Sequence, residues 1–212
     1  MKRITKKQSR PAREYADTLI KGLHESLKNK YVFEVHLVGS ASWNTIIKIK
    51  NKLWDIDYQI RLLKYSKAYK GVQSFNPNEI KKDFLRYFEI FFKQKNGFKV
   101  ENSTTSITII NKNSGYSFDF VIIKDENQII RRNNNDDSGK NIYTWNTLPR
   151  YNKAFAKFKG LSLLEKERLI EEHILPRKIR EKQKDDGDPS KKASYEIFIE
   201  EINNYVARKR NH

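Results

Sequence analysis

The sequence predicts an α+β fold, a mixed twisted sheet backed by helices and followed by a small helical lobe. Three observations predict it. Runs of β-branched and aromatic residues with a two-residue period cluster between positions 31 and 124. Amphipathic helical patterns precede and interrupt those runs, and after position 149 only helical patterns remain. The expected organisation is a basic, mobile N-terminus over residues 1–10, a core over 11–148 and a helical lobe over 149–212.

Pro11 suits the first turn of a helix, and Ala12, Tyr15, Ala16, Leu19, Ile20, Leu23 and Leu27 recur at helical spacing, so this helix packs on the sheet. Tyr31–Val38 reads as a strand running into Gly39-Ser40, with a short helical turn after Ser40. Ile46–Ile49 fits either the tail of that turn or the start of the next strand, which follows over 53–63. Asn76 or Asn78 caps the next helix with Pro77 near its start, and its apolar face runs to the stop at Asn96-Gly97. Strands then follow at Phe98–Asn102, Ser106–Asn111 and Tyr116–Lys124, with a turn at Lys112–Gly115. Arg131–Lys140 has the composition of an exposed loop between two short strands. Helices are expected at Tyr151–Lys159, from Ser162 to about Lys182 behind a Ser162/Glu165 capping box, and at Ser194–Arg208. Lys184–Ser190 is the charged connector before the last helix.

The chemistry-bearing residues are three carboxylates and a Gly-Ser turn. In Trp54-Asp55-Ile56-Asp57-Tyr58 the strand period sends Trp54, Ile56 and Tyr58 to one face and Asp55 and Asp57 together to the other. Two carboxylates so placed repel each other and call for a cation, and hard oxygen donors point to magnesium or manganese rather than zinc. Asp119, flanked by the core-facing Phe118 and Phe120, joins the pair from an adjacent strand and lets the site hold two ions. Gly39 permits a close backbone approach to a phosphate, and a helix starting beside Ser40 aims amide groups at the same anion.

Gly39-Ser40, Thr45 six residues after the glycine, Asp55-x-Asp57 in an apolar strand and the later Asp119 resemble the polymerase-beta-like nucleotidyltransferase superfamily. The best match is the branch of oligoadenylate synthases, cyclic GMP-AMP synthase and bacterial cyclic-oligonucleotide synthases (CD-NTases). The long helix ahead of the Gly-Ser strand, Thr45, and Tyr143–Pro149 carry that match, which covers roughly residues 11–160. Departures are the longer gap from Gly39 to Asp55, Trp43-Asn44 between Ser and Thr, and a helical lobe smaller than the branch usually carries. The resemblance implies Asp55, Asp57 and Asp119 as catalytic metal ligands, and Gly39, Ser40 and Thr45 as nucleotide-binding residues. It implies a magnesium- or manganese-dependent transfer of a nucleoside monophosphate from a nucleoside triphosphate to a hydroxyl, with release of pyrophosphate. The implied product is a linear or cyclic oligonucleotide signal of the kind used in antiviral defence. The alternatives are a toxin-like transfer to tRNA, other RNA or protein, or an inactive member that binds nucleic acid or nucleotide.

The 212 residues carry a formal net charge of +17, a field that attracts polyanions and makes RNA or DNA a candidate partner, although a Lys- and Asn-rich composition gives the same charge without one. There is no cysteine, which excludes disulfides and thiolate metal sites, and His24, His36, His173 and His212 fall in no metal-ligand spacing. No apolar stretch is long enough to span a bilayer and no secretory segment is recognisable at the N-terminus, so a cytoplasmic protein without a membrane partner is expected. Trp43 and Trp145 are candidates to stack on a base, against the commoner use of large aromatics in a core. The basic run Arg177, Lys178, Arg180, Lys182 and Lys184 reads first as a solvated helix face and second as a phosphate clamp.

Overall fold

The computed structural model describes residues 1–69, 74–125, 127–135, 141–148, 152–185 and 187–210. Pro149, Asp136, Asp137, Asp186 and His212 lie outside the described residues, as do the rest of residues 136–140; the first half of the loop expected at 131–140 is instead strand, paired with the residues after 140.

The first helix, α1 (Lys6–Leu27), opens five residues before Pro11. Thr5 is its cap: the Gln8 amide donates to Thr5 Oγ1 (3.3 Å) and Gln8 Oε1 accepts from the Thr5 amide (3.0 Å). The segment before it is also structured, because β1 (Lys2–Arg3) pairs antiparallel with β3 (Ile47–Lys48) and Ile4 is buried. The Ile46–Ile49 stretch is therefore strand, and it belongs to this two-stranded ribbon rather than to the main sheet.

That sheet has the order β2 (Tyr31–Val38), β4 (Trp54–Tyr65), β7 (Tyr116–Lys124), β6 (Ser106–Asn111), β5 (Phe98–Asn102). β8 (Gln128–Asn135) extends from β7 and pairs with β9 (Asn141–Thr147). Among the described pairings only β4 with β7 is parallel. The crossover between those two strands contains α3 (Pro77–Phe92), capped by Asn76, whose Oδ1 accepts from the Asn78 amide at 2.9 Å.

α1 and α3 lie against the sheet. Ala16, Leu19 and Leu23 of α1 and Ile80, Phe84 and Phe88 of α3 are buried with Ile56, Ile60, Phe118 and Phe120, the inward faces that the strand alternation assigns. One face of the central strands is thereby filled, which leaves the opposite face of β4 and β7 for polar residues.

The chain ends in a helical lobe: α4 (Asn152–Lys159), α5 (Leu163–Arg168), α6 (Leu175–Gln183) and α7 (Ser194–Arg210). The expected Ser162/Glu165 capping box opens α5. The helix expected to run from there to Lys182 is interrupted by a π-helical turn over Leu169–Ile174, where the Leu175 amide donates to Ile170 O. Pro176 explains it: a proline ring collides with the carbonyl four residues back and brings no N–H, and a widened turn relieves both. The lobe has its own core of Ala154, Phe158, Leu169, Ile174, Phe198 and Ile202, and Trp43 packs against it. No helix of the described residues is long and apolar enough to cross a membrane.

Candidate active site

A single row of residues crosses four strands. Val38 pairs with Asp57, Asp57 with Asp119, and Asp119 with Thr108. Laterally paired residues project from the same face of a sheet, so Asp57, Asp119 and Thr108 rise together on the face away from α1 and α3. Asp55 rises beside Asp57 on that face, two residues back along β4.

Gly39 ends β2 next to this row. Its φ is +60°, and a Cβ there would sit inside the Asp57 carboxylate, 2.9 Å from Cγ with Oδ2 closer still. Only glycine meets both demands, left-handed backbone and no side chain. The helical turn expected here is α2 (Gly39–Ser42), closed by the Ser42 hydroxyl donating to Gly39 O at 2.8 Å. Thr45 folds back under it: its amide donates to Ser40 O at 2.8 Å and its hydroxyl to the same oxygen at 3.4 Å.

Lys178 reaches this turn from α6. Its Nζ donates to Ser40 Oγ (2.8 Å), Thr45 O (2.8 Å) and Thr45 Oγ1 (3.3 Å), and the residue is 2% exposed. Burial and, next, the neighbouring Lys182 push its ammonium down to about 8, while Asp55 and Asp57 pull the other way. The Asp57 carboxyl is raised to about 7, chiefly by burial and then by the like charges of Asp55 and Asp119, against the opposing pull of Lys178 and Lys182. Asp119 is also raised, first by burial, with the hydroxyls of Thr108 (2.5 Å) and Ser106 (3.5 Å) opposing the shift by bonding its Oδ1.

These groups surround a cavity of about 420 Å³ lined by Gly39, Ser40, Thr45, Asp55, Asp57 and Lys178 at one end and by Trp43, Phe155, Tyr195 and Phe198 at the other. That size and the mixture of an ionic floor with an aromatic wall suit an organic anion.

Of the six site residues expected from sequence, five line this cavity: Gly39, Ser40, Thr45, Asp55 and Asp57. Thr45 does so with its hydroxyl committed to Ser40 O and Lys178. Asp119 stands in the row but its carboxylate is tied to Thr108, and among the described residues no three His, Cys, Asp or Glu side chains converge closely enough to form a metal cage. A hard divalent cation still fits Asp55 and Asp57 in kind: paired carboxylates, one of them half-buried and raised first by desolvation and then by like charge, gain from a cation between them.

Sequence reading ranked Lys178 as a solvated surface residue, and the structure corrects this. The residue four positions before Lys182, in a run where Leu175 and Ile179 mark the packed side of the helix, carried a usable signal. Trp43 and Trp145 take the core role. Trp43 packs between Phe155, Phe158 and Phe198 at centroid distances of 4.8–6.0 Å, and the Trp145 indole N–H donates to Phe75 O at 2.9 Å.

Comparison with protein-family models and with curated proteins returns no match. Among solved structures, the chain is similar to the Vibrio cholerae DncV cyclic AMP-GMP synthase in complex with the linear intermediate 5′ pppA(3′,5′)pG, with a TM-score of 0.61 at 12% identity over 83% of this chain and 47% of that one. It is likewise similar to the GTP-bound form of Vibrio cholerae DncV, with a TM-score of 0.61 at 12% identity over 90% of this chain and 50% of that one. Escherichia coli DncV bound to 3′-deoxy GTP gives a TM-score of 0.55 at 13% identity over 89% and 51%. The chain spans about half the length of the solved structures it matches. Its fold is that of the DncV structures it matches.

Proposed function

We propose that this protein is a nucleotidyltransferase that moves a nucleoside monophosphate from a nucleoside triphosphate onto a hydroxyl group and releases pyrophosphate, the product being a linear or cyclic oligonucleotide. The observation that carries the reading is the meeting of Ser40, Asp55, Asp57 and Lys178 around one cavity with an aromatic far wall. The similar DncV structures, one with a linear dinucleotide intermediate, support it.

In this reading Gly39 and Ser40 receive the β- and γ-phosphates, the glycine because its missing side chain leaves the backbone open to a close approach. Lys178, bonded to Ser40 Oγ, places its positive charge beside the same phosphates and offsets the charge that grows on the departing pyrophosphate. The base lies toward Phe198 and Tyr195, the latter 51% exposed at the cavity. The acceptor oxygen attacks the α-phosphorus, the bond from that phosphorus to the β-phosphate oxygen breaks, and the acceptor proton passes to Asp119 or to water. Asp55 and Asp57 would hold magnesium or manganese, which when bound would neutralise charge at the triphosphate and acidify the acceptor hydroxyl.

A second acceptor, the 3′ end of an RNA, is favoured by one feature. A cavity of about 490 Å³ is lined by Lys52, Lys182, Lys184 and Lys191, and Lys182 is close enough to Asp57 to lower its carboxyl. Incubation with four labelled ribonucleotides and magnesium or manganese, with and without RNA and beside Asp57→Ala, separates the readings. Small phosphatase-resistant products lost in the variant support an oligonucleotide synthase. Label on RNA supports the second acceptor, and no incorporation under any condition refutes both.

A further inference from the structure

Asp119 is gripped through one of its two carboxylate oxygens. Thr108 lies opposite Asp119 across β6 and β7 and opposite Glu101 across β5 and β6, so its side chain stands between two carboxylates on the open face of the sheet. Lys99 Nζ lies 2.6 Å from Glu101 Oε1, and the Thr108 hydroxyl turns the other way and donates to Asp119 Oδ1 at 2.5 Å. Ser106 Oγ donates to the same oxygen at 3.5 Å. Behind this contact Thr108 Oγ1 is bonded to Ser106 Oγ (3.2 Å) and Ser103 Oγ (3.4 Å). Among the described residues no hydrogen bond reaches Asp119 Oδ2.

The hydroxyls that do this are themselves held. Ser103 to Ser106 is a turn whose Ser103 N–H donates to Ser106 O at 3.1 Å. The buried Lys81 ammonium donates to Ser106 O (2.8 Å) and Thr105 O (3.4 Å), and the Arg132 amide donates to Thr104 O at 2.7 Å. Thr108 follows in a strand paired on both sides, and a β-branched residue there has little freedom about χ1. The direction of its hydroxyl is therefore fixed by backbone and sheet. The result is an asymmetric carboxylate. One bonded through both oxygens has neither to offer, and one bonded through neither rotates freely and loses orientation at the reacting atoms.

We propose that Thr108 is a positioning residue for nucleotidyl transfer: its hydroxyl, backed by Ser106 and Ser103, fixes the Asp119 carboxylate through Oδ1 and reserves Oδ2 for the acceptor hydroxyl. The role rests on the nucleotidyl-transfer reading of the site. As the acceptor oxygen bonds to the α-phosphorus and the bond to the β-phosphate oxygen breaks, the acceptor proton passes to Oδ2, and the electron pair of the broken bond leaves on pyrophosphate. Thr108 touches no reacting atom. Its effect falls on the chemical step and leaves the binding of the nucleoside triphosphate, which lies with Gly39, Ser40 and Lys178, unchanged.

The test uses the full chain and two readouts. The first is independent of activity. In EDTA, Thr108→Val, which exchanges the hydroxyl for a methyl of the same shape, should lower the thermal midpoint by about 3 °C or more, and by less than about 1 °C when Asp119→Ala is already present. The second is turnover of labelled ribonucleotides with magnesium or manganese, beside ATP binding by calorimetry. Thr108→Val should lower kcat by about 10–100-fold with ATP affinity within about twofold of wild type. Thr108→Ser, which keeps the donor and loses the stiffness, should recover to within about fivefold of wild type. Equal midpoint shifts in the two backgrounds overturn the contact. With the contact intact, a kcat unchanged in Thr108→Val, a parallel loss of ATP affinity, or a Thr108→Ser variant as slow as Thr108→Val overturns the positioning role. Midpoints that couple in a wild-type protein without turnover under any condition refute the nucleotidyl-transfer reading, and the role with it, while leaving the contact standing.

Discussion

Asp57 and Asp119 stand directly opposite each other on the one parallel pair of strands among the described residues, and both carboxyls are raised by burial and by neighbouring carboxylates. In the absence of a cation this arrangement opposes folding. Asp57→Asn keeps the shape and removes one charge, so two effects of opposite sign are expected. Nucleotidyl transfer should fall by roughly a thousandfold, the size of losing a key electrostatic group. Thermal stability in EDTA should rise by about 2–4 °C, the shift that about 1 kcal/mol of relieved repulsion gives a chain of this length. Calorimetry and product assay on the same preparation check both, and a destabilised variant would show that Asp57 is an ordinary structural carboxylate.

Gly39 makes a sharper test of how the turn serves the site. Gly39→Ala imposes a side chain on a φ of +60° and drives it into Asp57, whereas Gly115→Ala imposes the same backbone penalty at φ +70° with only Lys48 Nζ, 3.6 Å away, in its path. Both variants should lose about 1–2 kcal/mol of stability from the backbone. Only Gly39→Ala should also displace the Asp57 carboxylate, so activity is expected to drop a hundredfold or more there and to survive within about threefold in Gly115→Ala. Equal activities in the two variants would remove Gly39 from the site.

Lys178→Met separates chemistry from stability in another way. The buried ammonium is expensive to desolvate, yet it satisfies Thr45 O and Ser40 Oγ. These terms oppose each other, and the net change in unfolding free energy should stay within about 1 kcal/mol. Activity should fall about a hundredfold, with ATP affinity reduced in parallel. Lys178→Arg should not restore it, because a guanidinium has no room in a pocket where the lysine is 2% exposed. Urea titration and ATP binding by calorimetry check the split.

The parts of the fold that rest on one-dimensional periodicity were legible in the sequence. β2, β5, β6 and β7 occupy the expected residues, and the alternation of Trp54, Ile56 and Tyr58 against Asp55 and Asp57 is the alternation observed. The start of α1 was missed because Pro11 drew attention from Thr5-x-x-Gln8, a capping box that begins six residues earlier and sets the start of the helix ahead of the proline. Lys178 was missed for a different reason. Its neighbours Arg177, Arg180 and Lys182 make the run look solvated, and only the docking of α6 against the Gly39–Ser42 turn, 138 positions away in sequence, decides which one lysine is buried. The commitment of Asp119 to Thr108 is of the same kind, a lateral pairing that no spacing along the chain encodes.

Lys81 supplies a pH signature outside the site. It is 1% exposed, with Nζ donating to Ser106 O (2.8 Å) and Thr105 O (3.4 Å) and lying 5.6 Å from the centre of the Tyr143 ring. Burial first, and then the charge of Arg132, push its ammonium down to about 8. A lysine with a depressed folded pKa binds its proton less tightly in the fold than in the unfolded chain, where the value is near 10.5. Below about 8 both states are protonated and the penalty of burying the charge is present in full. As pH rises from about 8 to about 10.5 the folded lysine gives up its proton first, the unfolded chain binds more protons, and stability rises. The gain is on the order of 3 kcal/mol as an upper bound. Tyr58 and Tyr87, raised to about 12 mainly by burial, act against it above about pH 10, because the unfolded chain ionises its tyrosines first. Subtracting the profile of Lys81→Met isolates the lysine, since the tyrosines are common to both proteins. Urea midpoints measured from pH 7 to 10.5 should show wild type gaining on Lys81→Met through that window, and a constant difference would show that Lys81 keeps an ordinary pKa in the fold.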